Sequence, residues 1–335
     1  MPVIKESLLL KHTAKLVPLL FVLASSLPFE FAMAETATEP KDRFVEVLGL
    51  RLQYLDWGGT GEGLLFVPGG CDTAYVFGDI APAFTDRFHV VSFTPRGCGQ
   101  SDHPASGYEL DTLLKEMAGF LDAVGIQKAT LAGHSSGGGK ITRFARLYGS
   151  RVSRLVYFDT VYSYVAPDLE GKIDSAIVDR IGGSPRTSFD LMRRSETLWE
   201  LGSWSEARQR NLREIFTETD SGLKSVTPPA WLKAFDADMV AGRYFETGVA
   251  HPALMIFSKN LDQERVNQFS QATRDALASS VAETAESRSK QMKEFQANGP
   301  HIKVVEMEGT GPYCFVHKPR EVIRLMREFL VRSTR

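Results

Sequence analysis

The nine residues Ala129-Thr130-Leu131-Ala132-Gly133-His134-Ser135-Ser136-Gly137 constrain this chain more than any other stretch. A short apolar run of strand character leads into G-x-S-x-G, and helical periodicity follows as far as Tyr148. A serine held on a tight strand-to-helix turn projects its hydroxyl beyond the edge of a sheet, and a side chain at either glycine would strike neighbouring backbone. The spacing therefore predicts a nucleophile at Ser135. The same stretch approaches a phosphate-binding loop through Gly138-Gly139-Lys140. That alternative fails twice: no glycine stands five places before Gly139, and Ile141 occupies the place of the hydroxyl residue that would hold magnesium.

The rest of the chain repeats the strand and helix rhythm. Two short strands are expected between Phe44 and Trp57, and compact apolar strands at Leu64 to Val67, Val90 to Phe93, Ala129 to Ala132, Arg154 to Phe158, Ala253 to Phe257 and Lys303 to Met307. Helical spacing marks Leu110 to Val124, the stretch after Ser135, a long polar region from Gln263 to Gln296, and Arg320 to Val331. Strands alternating with helices imply a mostly parallel central sheet flanked by helices. Residues 162–248 break the rhythm: they are rich in Trp and Phe, punctuated by Gly182-Gly183, Pro228-Pro229 and Gly242, and contain no evident strand. They read as an inserted helical cap, with 43–161 and 249–335 forming the core.

Three further stretches carry a family resemblance. Leu64-Leu65-Phe66-Val67-Pro68-Gly69-Gly70 is similar to a strand followed by His-Gly-x, with Pro68 in the histidine's place. Thr94-Pro95-Arg96-Gly97-Cys98-Gly99-Gln100-Ser101-Asp102 is similar to a D-x-R-G-x-G-x-S-D loop, with Thr94 for the first Asp, and Pro319-Arg320-Glu321-Val322 opens the last helix in the same style. With the elbow at Ser135, the chain resembles the serine-dependent α/β-hydrolases from Phe44 to its end. The resemblance implies the α/β-hydrolase fold and an oxyanion hole made by the backbone N–H groups of Gly70 and Ser136. It also implies acyl chemistry through a serine rather than the aspartate nucleophile of haloalkane and epoxide hydrolases.

In this fold the acid and the base follow the nucleophile in chain order. Two carboxylates fit the acid: Asp262, after the strand Ala253 to Phe257, is favoured over Asp159, which ends the preceding strand. The histidine is expected just beyond Lys303 to Met307, and that position holds Pro312, which has no proton to take or give. His89, His251 and His301 precede strands and fall on the opposite rim, and His134 sits beside the nucleophile on a turn that aims it elsewhere. His317, five residues past Pro312, is the candidate substitute base, and His103 is the remaining histidine on the catalytic rim.

The first residues add a compartment. Lys5, Lys11 and Lys15 precede the apolar run Leu16 to Leu27, and Ala32-Met33-Ala34 has the small-residue spacing of a signal-peptidase site, so residues 1–34 read as a secretory signal peptide. The run is too short and interrupted to span a bilayer of about 20 residues. The expected location is periplasmic or secreted, with no stable membrane span after processing. Only three cysteines are present, and Cys71 and Cys98 follow neighbouring strands, so a single bridge is expected between them. With a net charge of -2, nucleic-acid binding has no support, and without CxxC or HExxH no metal or other cofactor is expected. The function expected is an exported hydrolase for a small, fairly apolar ester, thioester or lactone, with activity reduced by the missing base. A pseudo-hydrolase that binds a ligand or partner is the alternative, and a proline-iminopeptidase-like peptidase the third. Trp199, Trp204, Phe216, Trp231, Phe235 and Phe245 either line the cap's underside or pack its own core.

Overall fold

A computed structural model of the chain describes residues 39–160, 182–197, 204–259 and 301–331, with scattered positions between 267 and 297. Its centre is an eight-stranded sheet built from β1 (Lys41–Val47), β2 (Leu50–Gly58), β3 (Glu62–Val67), β4 (Phe88–Phe93), β5 (Ala129–His134), β6 (Val152–Phe158), β9 (Ala253–Ser258) and β10 (Ile302–Met307). The strand order is β1-β2-β4-β3-β5-β6-β9-β10. Strand β2 runs antiparallel to both β1 and β4, while the strands that follow from β4 to β10 in this order are mutually parallel.

The parallel strands are apolar at nearly every position because both faces of the sheet are covered. In β3, Leu65 and Val67 join one core with α1 (Leu110–Ala123) and α2 (Ser136–Leu147), while Leu64 and Phe66 join another with α7 (Pro319–Val331). The period-2 alternation therefore separates two apolar layers rather than core from solvent. Helix α1 buries Leu110, Leu113, Leu114, Met117, Phe120 and Leu121, a stripe at helical spacing, and each such side chain contributes about 1.5–3 kcal/mol of transfer free energy.

Between β6 and β9 the described residues form α3 (Phe189–Glu196), α4 (Glu206–Ile215), the antiparallel pair β7 (Phe216–Thr219) and β8 (Gly222–Ser225), and α5 (Pro229–Val240). The hairpin corrects the expectation that this segment has no strand. Its strands are mostly exposed and polar, so they lack the apolar alternation that marks a strand in sequence, and the turn rests on Gly222 at φ 110. Helix α4 starts at Ser205, whose Oγ accepts the N–H of Arg208 at 3.1 Å, a cap that fixes where its first turn points. Trp231 stacks on Phe235 at 5.0 Å and packs with Cys98 and Tyr108, so these two cap aromatics serve a core. Trp199, Asp262 and the proposed signal peptide lie outside the described residues. Among the described residues no helix is long and apolar enough to cross a membrane.

Cys71 and Cys98 are joined in a disulfide with Cα atoms 5.3 Å apart, as their places after adjacent strands led us to expect, and Cys314 is a buried free thiol.

Candidate active site

Strand β5 is buried along its whole length and ends at the turn that carries Ser135. Ser135 has φ 50 and ψ -125, a conformation that a non-glycine residue holds only when its surroundings enforce it, at about 1–3 kcal/mol of strain. The glycines are required by contact. A Cβ on Gly133 would lie 2.6 Å from the Gly137 carbonyl oxygen, and one on Gly137 would lie 2.3 Å from that of Val67. A Cβ on Gly69 would meet both the His134 carbonyl oxygen and the Ser135 Cβ at 2.6 Å, so the loop after β3 passes directly against Ser135.

That loop also touches the other expected oxyanion donor. The Gly70 N–H donates to Ser136 Oγ at 2.8 Å, which places Gly70 beside the first turn of α2, where backbone N–H groups have no intrahelical acceptor. A developing oxyanion there would exchange for the serine hydroxyl as acceptor. Each residue of the loop near the elbow is held. Lys140 Nζ donates to the Pro68 carbonyl at 3.2 Å, the Asp72 N–H to the Gly69 carbonyl at 3.0 Å, and Cys71 is bound to Cys98. Burial pulls the Lys140 amine down to about 8, against the opposing pull of Glu116 and Asp72.

Asp159 directly follows β6, whose last residue pairs with His134, and the Ser135 N–H donates to the Phe158 carbonyl at 3.0 Å. The buried Asp159 carboxylate accepts the N–H of Ser258 at 3.3 Å and its Oγ at 2.8 Å, and its backbone takes φ 39. Two of the three described non-glycine residues with left-handed φ are thus the expected nucleophile and one of the two expected acids. Burial first, then the charge of Asp159, push the Cys314 thiol well above its ordinary value, which sets Asp159 close to the loop after β10.

In that loop Thr310 and Gly311 are buried and Pro312 is exposed, followed by the short helix α6 (Cys314–His317). His317 ends α6, half-buried, with its N–H on the Tyr313 carbonyl at 3.0 Å. His103 is exposed and bonded through Nε2 to the Gly99 carbonyl at 3.0 Å. His134 points into the core, its ring 4.5 Å from that of Tyr313 and 5.2 Å from that of Phe315. Burial pulls it down to about 4, while Asp72 opposes that shift, so it is neutral at physiological pH.

One cluster was not anticipated from sequence. Asp72 Oδ1 accepts Arg208 Nη1 at 2.8 Å and Asn211 Nδ2 at 2.7 Å, and Asp72 Oδ2 accepts the Tyr313 hydroxyl at 2.9 Å. Arg208 also grips Glu196 through Nε at 2.7 Å and Nη2 at 2.9 Å. Burial alone would raise the Asp72 carboxyl, but Arg208, His134, Asn211 and Tyr313 together hold it below its ordinary value. The available signal was the i,i+3 spacing of Arg208 and Asn211 behind the cap at Ser205.

Comparison with known proteins agrees with the architecture. Residues 63–220 match the family model described as alpha/beta hydrolase fold. The crystal structure of E-2-(acetamidomethylene)succinate hydrolase superposes with a TM-score of 0.59 at 21% identity, over 87% of this chain and 99% of that one. Carboxylesterase CesB from Bacillus subtilis superposes with a TM-score of 0.58 at 16% identity, over 88% and 93%. The chain has the α/β-hydrolase fold. In sequence it is 31% identical over 124 residues to a 2-(acetamidomethylene)succinate hydrolase of Mesorhizobium japonicum, covering 37% of this chain and 41% of the relative. It is 35% identical over 75 residues to a non-heme chloroperoxidase of Streptomyces lividans, covering 22% and 27%. The chain thus spans about a quarter to two fifths of the length of these curated relatives.

Proposed function

We propose that this chain is an exported serine hydrolase that cleaves a small, fairly apolar ester, thioester or lactone. Ser135 Oγ attacks the acyl carbon, the carbonyl oxygen becomes an oxyanion facing the N–H groups of Gly70 and Ser136, and the leaving group departs with a proton. Water then cleaves the acyl-enzyme by the reverse proton path. The observation that carries this reading is the strained Ser135 turn lying against the Gly69-Gly70 loop. Asp159 is the acid we favour, because Ser258 fixes both its oxygens at the end of the strand next to the nucleophile. Proton transfer falls to His317, since Pro312 stands in the usual position, and turnover is slow as a result. Export rests on the N-terminal pattern and accords with the Cys71–Cys98 bridge. A second reading, a pseudo-hydrolase that binds a ligand without turning it over, is favoured by Pro312 alone.

The test is labelling by a fluorophosphonate serine probe together with hydrolysis of short-chain aryl esters. Both should occur in the wild type and vanish in Ser135→Ala. Labelling that survives in Ser135→Ala sinks the serine reading, and saturable ligand binding with neither labelling nor turnover selects the second.

A further inference from the structure

The cluster around Asp72 joins three segments that the proposed chemistry treats separately. Asp72 lies two residues past Gly70, Arg208 and Asn211 belong to α4 of the inserted segment, and Tyr313 follows Pro312. Asn211, fully buried, completes the seam in the other direction: its Oδ1 accepts both the N–H of Thr73 at 2.7 Å and the Thr73 hydroxyl at 2.9 Å. Helix α4 therefore grips the residues immediately after the oxyanion donor through four hydrogen bonds.

Such a seam is a poor way to gain stability. Three ionised groups, Asp72, Arg208 and Glu196, lose most of their water there, and well-packed apolar residues would serve as well or better. What ionic bonds provide that apolar packing does not is fixed geometry: a guanidinium that bonds Asp72 while gripped bidentately by Glu196, and an amide bonded to both Asp72 and Thr73, define one position of α4 against the loop. We infer that Asn211, Arg208 and Asp72 are positioning residues that hold α4 against the loop after β3 so that the Gly70 N–H points at the developing oxyanion. The inference rests on the serine-hydrolase reading for its chemical half; its mechanical half, that α4 orders residues 69–74, stands independently.

Two measurements on Asn211→Leu, which keeps the branched skeleton and removes the amide, test the halves separately. Hydrogen exchange should accelerate at least tenfold in the peptide covering residues 69–74 and stay unchanged in β5 and β6. Unchanged exchange at 69–74 overturns the inference whatever the activity. The second readout is the ratio of turnover for an aryl ester to turnover for its thionoester, in the wild type and in the Pro312→His background. Sulfur is larger and a weaker acceptor, so a correctly aimed donor penalises it, and loss of one such donor lowers turnover of the oxygen ester by about 10²–10³. In Asn211→Leu the ratio should fall at least tenfold. A folding defect would lower both rates together and leave the ratio intact, and that result overturns the chemical half. Arg210→Ala, on the exposed side of α4, should alter neither measurement. Absence of turnover from wild type and Pro312→His alike counts against the hydrolase reading, and the clamp is then judged by exchange alone.

Discussion

On the proposed reading, two loops at the same rim of the sheet supply a catalytic part in opposite ways. The loop after β3 offers a backbone N–H at Gly70, and its neighbours are tied by Lys140, the Cys71–Cys98 bridge, Asn211 and the Asp72 cluster. The loop after β10 is the expected source of an imidazole, and there Pro312 stands exposed while Tyr313 is anchored to Asp72. A function carried by main chain survives almost any substitution that keeps the loop in place. One carried by a side chain is removed by a single codon change, with no trace in the surrounding fold.

The largest effect should come from placing an imidazole at position 312. Pro312→His is expected to raise turnover of a short-chain acyl ester by several orders of magnitude, while His317→Ala changes the Pro312→His variant little. Removing the base of a serine protease costs about a million-fold, or roughly 8 kcal/mol, and a restored imidazole should recover a large share of that. The position is exposed and proline's fixed φ is lost with little packing. If the wild type already turns over briskly and His317→Ala abolishes it, the loop after β10 is not the deficient one and the contrast fails.

The parts of this architecture that were legible in sequence are those with a periodic or steric signature. The parallel strands could be located because both their faces are buried, which leaves unbroken apolar runs such as Leu64 to Val67. The elbow was legible because its glycines are required by contacts under 3 Å. The polar hairpin β7 and β8 had no such signature, and Arg208 and Asn211 sit in the run Glu206-Ala207-Arg208-Gln209-Arg210-Asn211, whose charge reads as a solvated face. Their burial depends on a carboxylate 136 and 139 residues away in sequence, at Asp72, and their local spacing does not point to that partner. The preference for Asp262 over Asp159 rested only on its place after a strand that ends at the same rim; Asp159 is described, with both oxygens on Ser258, while Asp262 lies outside the described residues.

A second, smaller effect tests whether the loop after β3 is as firmly held as its bonds suggest. The Cys71–Cys98 bridge closes 27 residues, and replacing both cysteines with serine should lower unfolding free energy by about 3.5 kcal/mol on the chain-entropy relation, measured as a change in urea midpoint. Because Cys71 adjoins Gly70, turnover should fall further than the folded fraction does. A midpoint within error of wild type would mean that the remaining contacts hold the loop unaided.

The smallest effect concerns the residue lying between the two loops. His134 has Nδ1 4.0 Å from Asp72 Oδ2, its ring 4.5 Å from that of Tyr313, and the Pro312 backbone nearby. Its folded value of about 4 lies below the ordinary 6.5, first because burial disfavours the imidazolium. The unfolded chain therefore binds a proton near pH 6.5 that the folded chain refuses until about pH 4. Stability is full above pH 6.5 and falls as pH drops through that window, by up to about 3 kcal/mol, since each pH unit between the two values is worth about 1.36 kcal/mol. His134→Phe, a ring that fits between Tyr313 and Phe315, should flatten the decline in urea midpoint between pH 6.5 and 4. If the mutant declines as steeply as the wild type, His134 takes up its proton inside the fold. Asp72 would then have to compensate that charge at the junction of the two loops, and the picture of a neutral, passive imidazole between them would have to be given up.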